Sequence, residues 1–194
     1  MASSALIQKL EAIIEIKASP KQIHDMLANK KVFNLNLART SGSDTTLEAI
    51  IEIKASPEQF HDMLANKPHH LHHACSDKIQ GCDLLEGQWG KVGSIIRWRL
   101  VLQGKAKAGK DAIEAIDSDK KSITFRKLEA EILTEYKSFV YTIQASPKSE
   151  GSGSLVHLTF EYEKLHHGIA QPQFLQQFMV DVCKEIDAYL TRQN

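Results

Sequence analysis

Between residues 78 and 165, apolar and polar side chains alternate with a period of two, in segments separated by turn residues. Ile96, Trp98, Leu100 and Leu102 alternate with Arg97 and Arg99, and Ala112, Glu114 and Ile116 mark a weaker segment. Ile123 and Phe125 precede an acidic stretch at Glu129 and Glu131. Phe139, Tyr141 and Ile143 lead into Ser-Pro-Lys-Ser-Glu-Gly-Ser-Gly-Ser, after which Val156, Leu158, Phe160 and Tyr162 alternate with His157, Thr159, Glu161 and Glu163. Alternation of this kind predicts antiparallel strands with one apolar and one polar face. From Pro172 to about Arg192 the period becomes helical. Phe174, Leu175, Phe178, Met179, Val182, Cys183, Ile186, Tyr189 and Leu190 fill half of the wheel, with Gln177, Asp181, Lys184 and Asp187 toward the other half. That apolar arc is broad enough to be enclosed by a curved sheet.

Upstream of the alternating region the chain repeats itself. Residues 10–30 read LEAIIEIKASPKQIHDMLANK and residues 47–67 read LEAIIEIKASPEQFHDMLANK, differing at Lys21 against Glu58 and Ile23 against Phe60. Each copy encodes a β-branched strand followed by a helix. Ser56 is placed as the N-cap, Pro57 at the first helical position and Glu58 in the first turn, with Phe60, Met63 and Leu64 at helical spacing. A second short helix is predicted from Pro68 to about Cys75. Solenoids need several stacked units, so two copies do not predict one. Residues 31–46 end in Arg-Thr-Ser-Gly-Ser-Asp-Thr-Thr and read as a linker. Both copies compete for one slot in one sheet, and only the second runs directly into the helix at Pro68. Residues 1–46 are therefore expected to be a largely disordered partial duplicate, and residues 47–194 one domain. Strand, two helices, a run of strands and a long last helix make an α+β fold.

Composition narrows the function classes. Lys plus Arg and Asp plus Glu both number 24, so there is no global attraction to phosphate backbones or anionic membranes. Nucleic acid is accordingly not an expected partner. No stretch approaches the roughly 20 apolar residues of a membrane span, and Lys9, Glu11 and Glu15 interrupt any secretory h-region. Three cysteines, Cys75, Cys82 and Cys183, are an odd number without framework spacing. A cytoplasmic location is expected.

Several clusters carry candidate chemistry. Gly87-Gln88-Trp89-Gly90-Lys91-Val92-Gly93 has the glycine density of a phosphate cradle, but it joins two strands where a cradle needs a helix N-terminus. A hairpin using glycine for positive φ is the expected reading, with Trp89 and Lys91 at a rim. His69, His72 and His73 share a helix face at chelating spacing, yet no second cluster completes a tetrahedral set, so no metal site is expected. Lys137 is in phase with Phe139, Tyr141 and Ile143. It points inward as a nucleophile, base or carboxylate partner, or snorkels to water at the strand end. Tyr141 and Tyr162 are polar handles on an apolar face.

From about residue 47 onward the chain resembles the plant major latex proteins, relatives of the birch-pollen allergen and of pathogenesis-related proteins. The resemblance rests on Asn66-Lys67-Pro68-His69-His70, Ile79-Gln80-Gly81-Cys82-Asp83, the loop from Glu86 to Ser94, Ile123-Thr124-Phe125-Arg126, Glu135-Tyr136-Lys137-Ser138-Phe139 and Val182-Cys183-Lys184-Glu185-Ile186-Asp187. It implies a helix-grip fold: a seven-stranded curved antiparallel sheet around the C-terminal helix, two short helices, and a large apolar cavity between sheet and helix. It also implies binding of hydrophobic or amphipathic small molecules, of fatty-acid, sterol or phenolic type, in plant defence or stress responses. The residues expected to meet such a ligand are Ile96, Trp98, Leu100, Phe125, Lys137, Phe139, Tyr141, Val156, Leu158, Phe160, Tyr162, Phe178, Met179, Val182 and Ile186. Neither catalysis nor a cofactor is expected, and the oligomeric state is left open.

Enzymatic alternatives follow from the same resemblance. Ribonuclease activity is attributed to some relatives, but their lysine after the glycine loop aligns with Ile96 here, although Glu135 and Tyr189 match. A condensing enzyme would use Lys137. Hormone reception needs a Ser-Gly-Leu-Pro-Ala type gate, which the chain lacks.

Overall fold

The computed structural model describes residues 37–41 and 44–192. The first copy of the repeat lies outside those residues. In chain order the elements are β1 (Leu37–Ser41), β2 (Asp44–Ile53), α1 (Pro57–Ala65), a 3-10 turn (Pro68–His70), α2 (Leu71–Ala74), β3 (Ile79–Glu86), β4 (Ile95–Leu102), β5 (Lys105–Asp117), β6 (Ser122–Glu129), a second 3-10 turn (Glu131–Thr134), β7 (Tyr136–Pro147), β8 (Ser154–Lys164) and α3 (Gln173–Arg192). All strand pairs are antiparallel in the order β1-β2-β8-β7-β6-β5-β4-β3. Strands β2 to β8 are the seven expected ones.

Strand β1 was not expected. It falls in the stretch read as linker, and it pairs along the outer edge of β2 with Ser41 opposite Asp44. Gly42-Ser43 separates those partners, and Gly-Ser is a two-residue hairpin signal as well as linker chemistry. An edge strand offers unpaired backbone groups, and β1 satisfies those of β2. The domain boundary accordingly moves upstream of residue 47.

Helix α1 begins as its sequence dictates. Ser56 Oγ accepts from the Gln59 N–H at 3.2 Å while the Gln59 side chain accepts from the Ser56 N–H, a capping box with Pro57 in the first turn. Its apolar side buries Phe60, Met63 and Leu64. In the loop between β3 and β4, Gly87, Gly90 and Gly93 all have positive φ. A Cβ on Gly90 would lie 2.2 Å from Asn66 Oδ1, and one on Gly87 2.4 Å from Ser94 Oγ. The loop is a hairpin, with backbone demands that glycine meets.

Helix α3 lies against the sheet on a face turned slightly from the one expected. Gln176 and Val180 are buried, whereas Phe174 is exposed. Gln176 Nε2 donates to the Glu48 carbonyl at 2.7 Å, which satisfies its amide inside the interface. Asp187, expected on the polar side, accepts from both the Lys54 and Ala55 N–H groups at 2.9 and 2.8 Å. These charge-assisted bonds pin the C-terminal half of α3 to the β2–α1 corner.

His61 is buried in α1 with Nδ1 unpartnered among the described residues. Burial, and then the positive charge of Lys121, lowers its pKa below the ordinary 6.5. A depressed histidine pKa favours the neutral form in the fold. Its contribution to stability is therefore complete above about pH 6.5 and is lost as the pH falls from there toward the folded value. Thermal melts from about pH 7 to 5 should show the wild type losing more stability than His61→Gln. Parallel curves would refute this assignment.

Candidate functional site

Bulges shape the inner face of the sheet. Register shifts interrupt β3–β4 near Gly81 and Leu84, β5–β6 near Asp111 and Glu114, and β7–β8 at Lys137. Each inserts an unpaired residue, bends its strand and increases the twist. The concave surface faces α3, and a cavity of about 50 Å3 remains between them. Its walls are Ile79, Trp98, Leu100, Phe125, Lys127, Phe139, Tyr141, Ile143 and Phe160 from the strands. Leu64 and Leu71 come from the short helices, and Leu175, Phe178, Met179 and Val182 from α3.

The cavity is smaller than the resemblance implied. Drug-sized ligands occupy pockets of about 300–1,000 Å3, whereas this one has room for a few waters. Aromatic side chains account for the difference. Phe125 stacks on Tyr141 with centroids 5.0 Å apart, and Phe139, Phe160 and Phe178 converge on the same space. Phe178 and Met179 are half-buried on α3, and the unbranched methionine is the most adaptable of the lining groups.

Of the residues expected to meet a ligand, Trp98, Leu100, Phe125, Phe139, Tyr141, Phe160, Phe178, Met179 and Val182 line this cavity. Ile96, Val156, Leu158, Tyr162 and Ile186 do not; all are fully enclosed in packed core. Val156 pairs with Ile51 on the stretch of β2 leading to the corner held by Asp187. Tyr162 stacks on Phe139 at 5.8 Å and meets Tyr136 edge-on at 5.2 Å. Periodicity marks these residues as inward without saying where along the strand the void lies. Leu64, Leu71, Ile79, Ile143, Leu175 and Lys127 line the cavity without having been anticipated. Ile143 was legible as an inward apolar position, and Leu64 as part of the apolar side of α1.

Lys137 is not in the cavity. It is the extra residue of the β7 bulge, so Tyr136 and Phe139 point inward while Lys137 points out and pairs with Glu163 at 2.9 Å. The lysine that does reach the cavity is Lys127. Its Nζ lies 2.9 and 3.0 Å from the two carboxylate oxygens of Asp111, whose side chain is 0% exposed against 9% for Lys127. The Tyr141 hydroxyl donates to Asp111 Oδ2 at 2.5 Å, and the Lys127 ammonium is 5.1 Å from the Tyr141 ring centroid. Burial, followed by the Asp111 charge, raises the Tyr141 pKa well above its usual value, which keeps the phenol a donor. Trp98 Nε1 is near that hydroxyl but makes no hydrogen bond of normal geometry, and is buried without a partner.

The model of the pathogenesis-related protein Bet v 1 family matches residues 42–193. The chain belongs to that family. The matched segment begins after the last residue of β1, so β1 lies outside the family's own pattern. MLP-like protein 43 of Arabidopsis thaliana is 49% identical over 188 residues, covering 97% of this chain and 96% of that protein. MLP-like protein 28 of the same plant is 54% identical over 97% of this chain, which spans only 45% of that longer protein. A crystal structure of the ginseng major latex-like protein 151 from Panax ginseng superposes with a TM-score of 0.72, at 34% identity over 76% of this chain and 98% of that one.

Other candidate groups of this Bet v 1 family chain have structural explanations. His69 stacks on Trp89 with centroids 4.7 Å apart, and His72 Nδ1 lies 2.7 Å from the His69 carbonyl oxygen. Among the described residues, no three metal-ligating side chains converge on one point. Glu135 is exposed, and neither it nor Tyr189 lines the cavity. The three cysteines are free and buried. Burial pushes the Cys75 thiol up to about 12, and the Cys82 and Cys183 thiols up as well, which leaves them unreactive.

Proposed function

We propose that this chain binds and carries apolar small molecules, of fatty-acid, sterol or phenolic type, in the cavity between the sheet and α3. The observation that supports this most is the void itself, walled almost wholly by hydrocarbon at the centre of the domain. Well-packed cores leave few voids larger than a water molecule, so a retained apolar one suits a ligand. Burial would supply the affinity at about 25 cal/mol per Å2 of apolar surface. A role in plant defence or stress is supported by the family's name and by its plant relatives. A cytoplasmic location is supported by three free thiols, and no described helix is long and apolar enough to cross a membrane. Carriage is preferred to catalysis because Lys137, the lysine a condensing reaction would have used, faces outward.

The test is displacement of an apolar fluorescent probe by fatty acids, sterols and phenolics. Val182→Trp fills the cavity from α3 and should weaken binding about tenfold or more, equivalent to about 1.4 kcal/mol. Circular dichroism should show the fold retained. Unchanged affinity in Val182→Trp and in a second filled variant, Leu175→Trp, would falsify a site between sheet and helix.

A further inference from the structure

The cavity wall is apolar except where Trp98, Lys127 and Tyr141 line it. Asp111 lies behind the wall and does not line the cavity, whereas the three groups that do are donors. An ammonium has three N–H donors, and two oxygens of Asp111 account for two of them. The Tyr141 proton is committed to Asp111. The Trp98 indole N–H is buried without an acceptor among the described residues, and the third Lys127 N–H is not taken up by Asp111. A buried donor without an acceptor is costly in a folded protein.

Charge decides which acceptor fits. Lys127 and Asp111 neutralise one another, so the cluster offers hydrogen without net positive charge. A carboxylate entering here would bring a second buried anion to one cation, and burying an unpaired charge is expensive. An uncharged oxygen brings no such cost and satisfies the free donors.

We propose that Trp98 and Lys127 form an orienting subsite for an uncharged oxygen acceptor, such as the carbonyl or hydroxyl of an otherwise apolar ligand, and that Asp111 disfavours carboxylates there. This rests on the carrier reading and sharpens it, favouring sterol-like, ester or phenolic ligands over ionised fatty acids. Trp98 and Lys127 are positioning residues for the ligand, with Asp111 setting their charge.

Calorimetric titration with three ligands of one chain length tests it: a methyl ketone, the parent alkane and the carboxylate, above neutral pH where the acid is ionised. Trp98→Phe removes the N–H together with the pyrrole half of the indole. It should weaken the ketone about fivefold more than the alkane, the worth of one ordinary hydrogen bond, while the change in the alkane reads the lost ring volume alone. Asp111→Asn removes the balancing charge, and the carboxylate should then gain at least about tenfold relative to the ketone, because it supplies the anion Lys127 has lost. Should Asp111→Asn fail to fold, Trp98→Phe decides alone. Equal effects of Trp98→Phe on ketone and alkane, or no relative gain for the carboxylate in a folded Asp111→Asn, overturn the subsite while leaving the carrier reading intact. Failure of all three ligands to bind the wild type overturns both.

Discussion

Asp111→Ala should cost the domain about 3–5 kcal/mol, read from the midpoint and slope of urea unfolding. The carboxylate is fully enclosed and holds Lys127 and the Tyr141 hydroxyl together. Removing it strands an ammonium with little access to water and a phenol without its acceptor. Net stabilities of about 5–15 kcal/mol make that a large fraction of the whole. Removing all three polar groups together should behave differently. In Asp111→Leu, Lys127→Met, Tyr141→Phe no charge is left behind, and buried ion pairs replaced by packed apolar groups are often neutral or stabilising. The triple variant should therefore recover most of what the single one loses. A loss below about 1 kcal/mol in Asp111→Ala would show that the pair is solvated and contributes little.

This cluster also shows where sequence reasoning stops. The elements were legible because period two and period 3.6 are properties of local backbone geometry. Phe139, Tyr141, Val156, Leu158, Phe160 and Tyr162 all point inward as their alternation requires. The capping signal at Ser56 and the break at Pro172 gave helix boundaries correct to a residue or so. A bulge breaks this logic, since one extra residue inverts the phase of everything before it. Lys137 sits on such a bulge, so extrapolating from Phe139 through Tyr141 placed it on the wrong face. In β5 the weak pattern of Ala112, Glu114 and Ile116 suggested the even positions, whereas Gly109, Asp111 and Ile113 are the buried ones until the register shifts near Glu114. A lone aspartate between a glycine and an isoleucine carries no hydrophobic signal. Its partner, Lys127, is sixteen residues away and becomes visible only when the strands pair. The location of the void is likewise a matter of tertiary packing. Val156 and Phe160 share one face of β8, but only Phe160 reaches it.

Phe160→Ala should be about as destabilising, by about 3–5 kcal/mol, and it should be rescued by ligand. The ring is 1% exposed, pairs across the ladder with Tyr141 and Leu47, and forms part of the cavity wall. Truncation removes its transfer free energy and adds a void, at about 24 cal/mol per Å3 of residual space. Here the new void opens into a cavity of about 50 Å3 that already exists, so the two form one larger apolar space. Small apolar molecules such as benzene should bind the variant more tightly than the wild type. A ligand that binds only the folded state stabilises by about 2.7 kcal/mol at a hundredfold excess over its dissociation constant. The melting temperature of Phe160→Ala should consequently rise with added benzene, and by more than that of the wild type. Val156→Ala supplies the contrast, because Val156 is equally buried on the same strand but away from the cavity. Its truncation should destabilise without comparable rescue, since the gap it leaves is closed off and small. Equal rescue of both variants would mean that the cavity extends along the whole of β8, and no rescue of Phe160→Ala would mean that α3 collapses onto the sheet to fill the space.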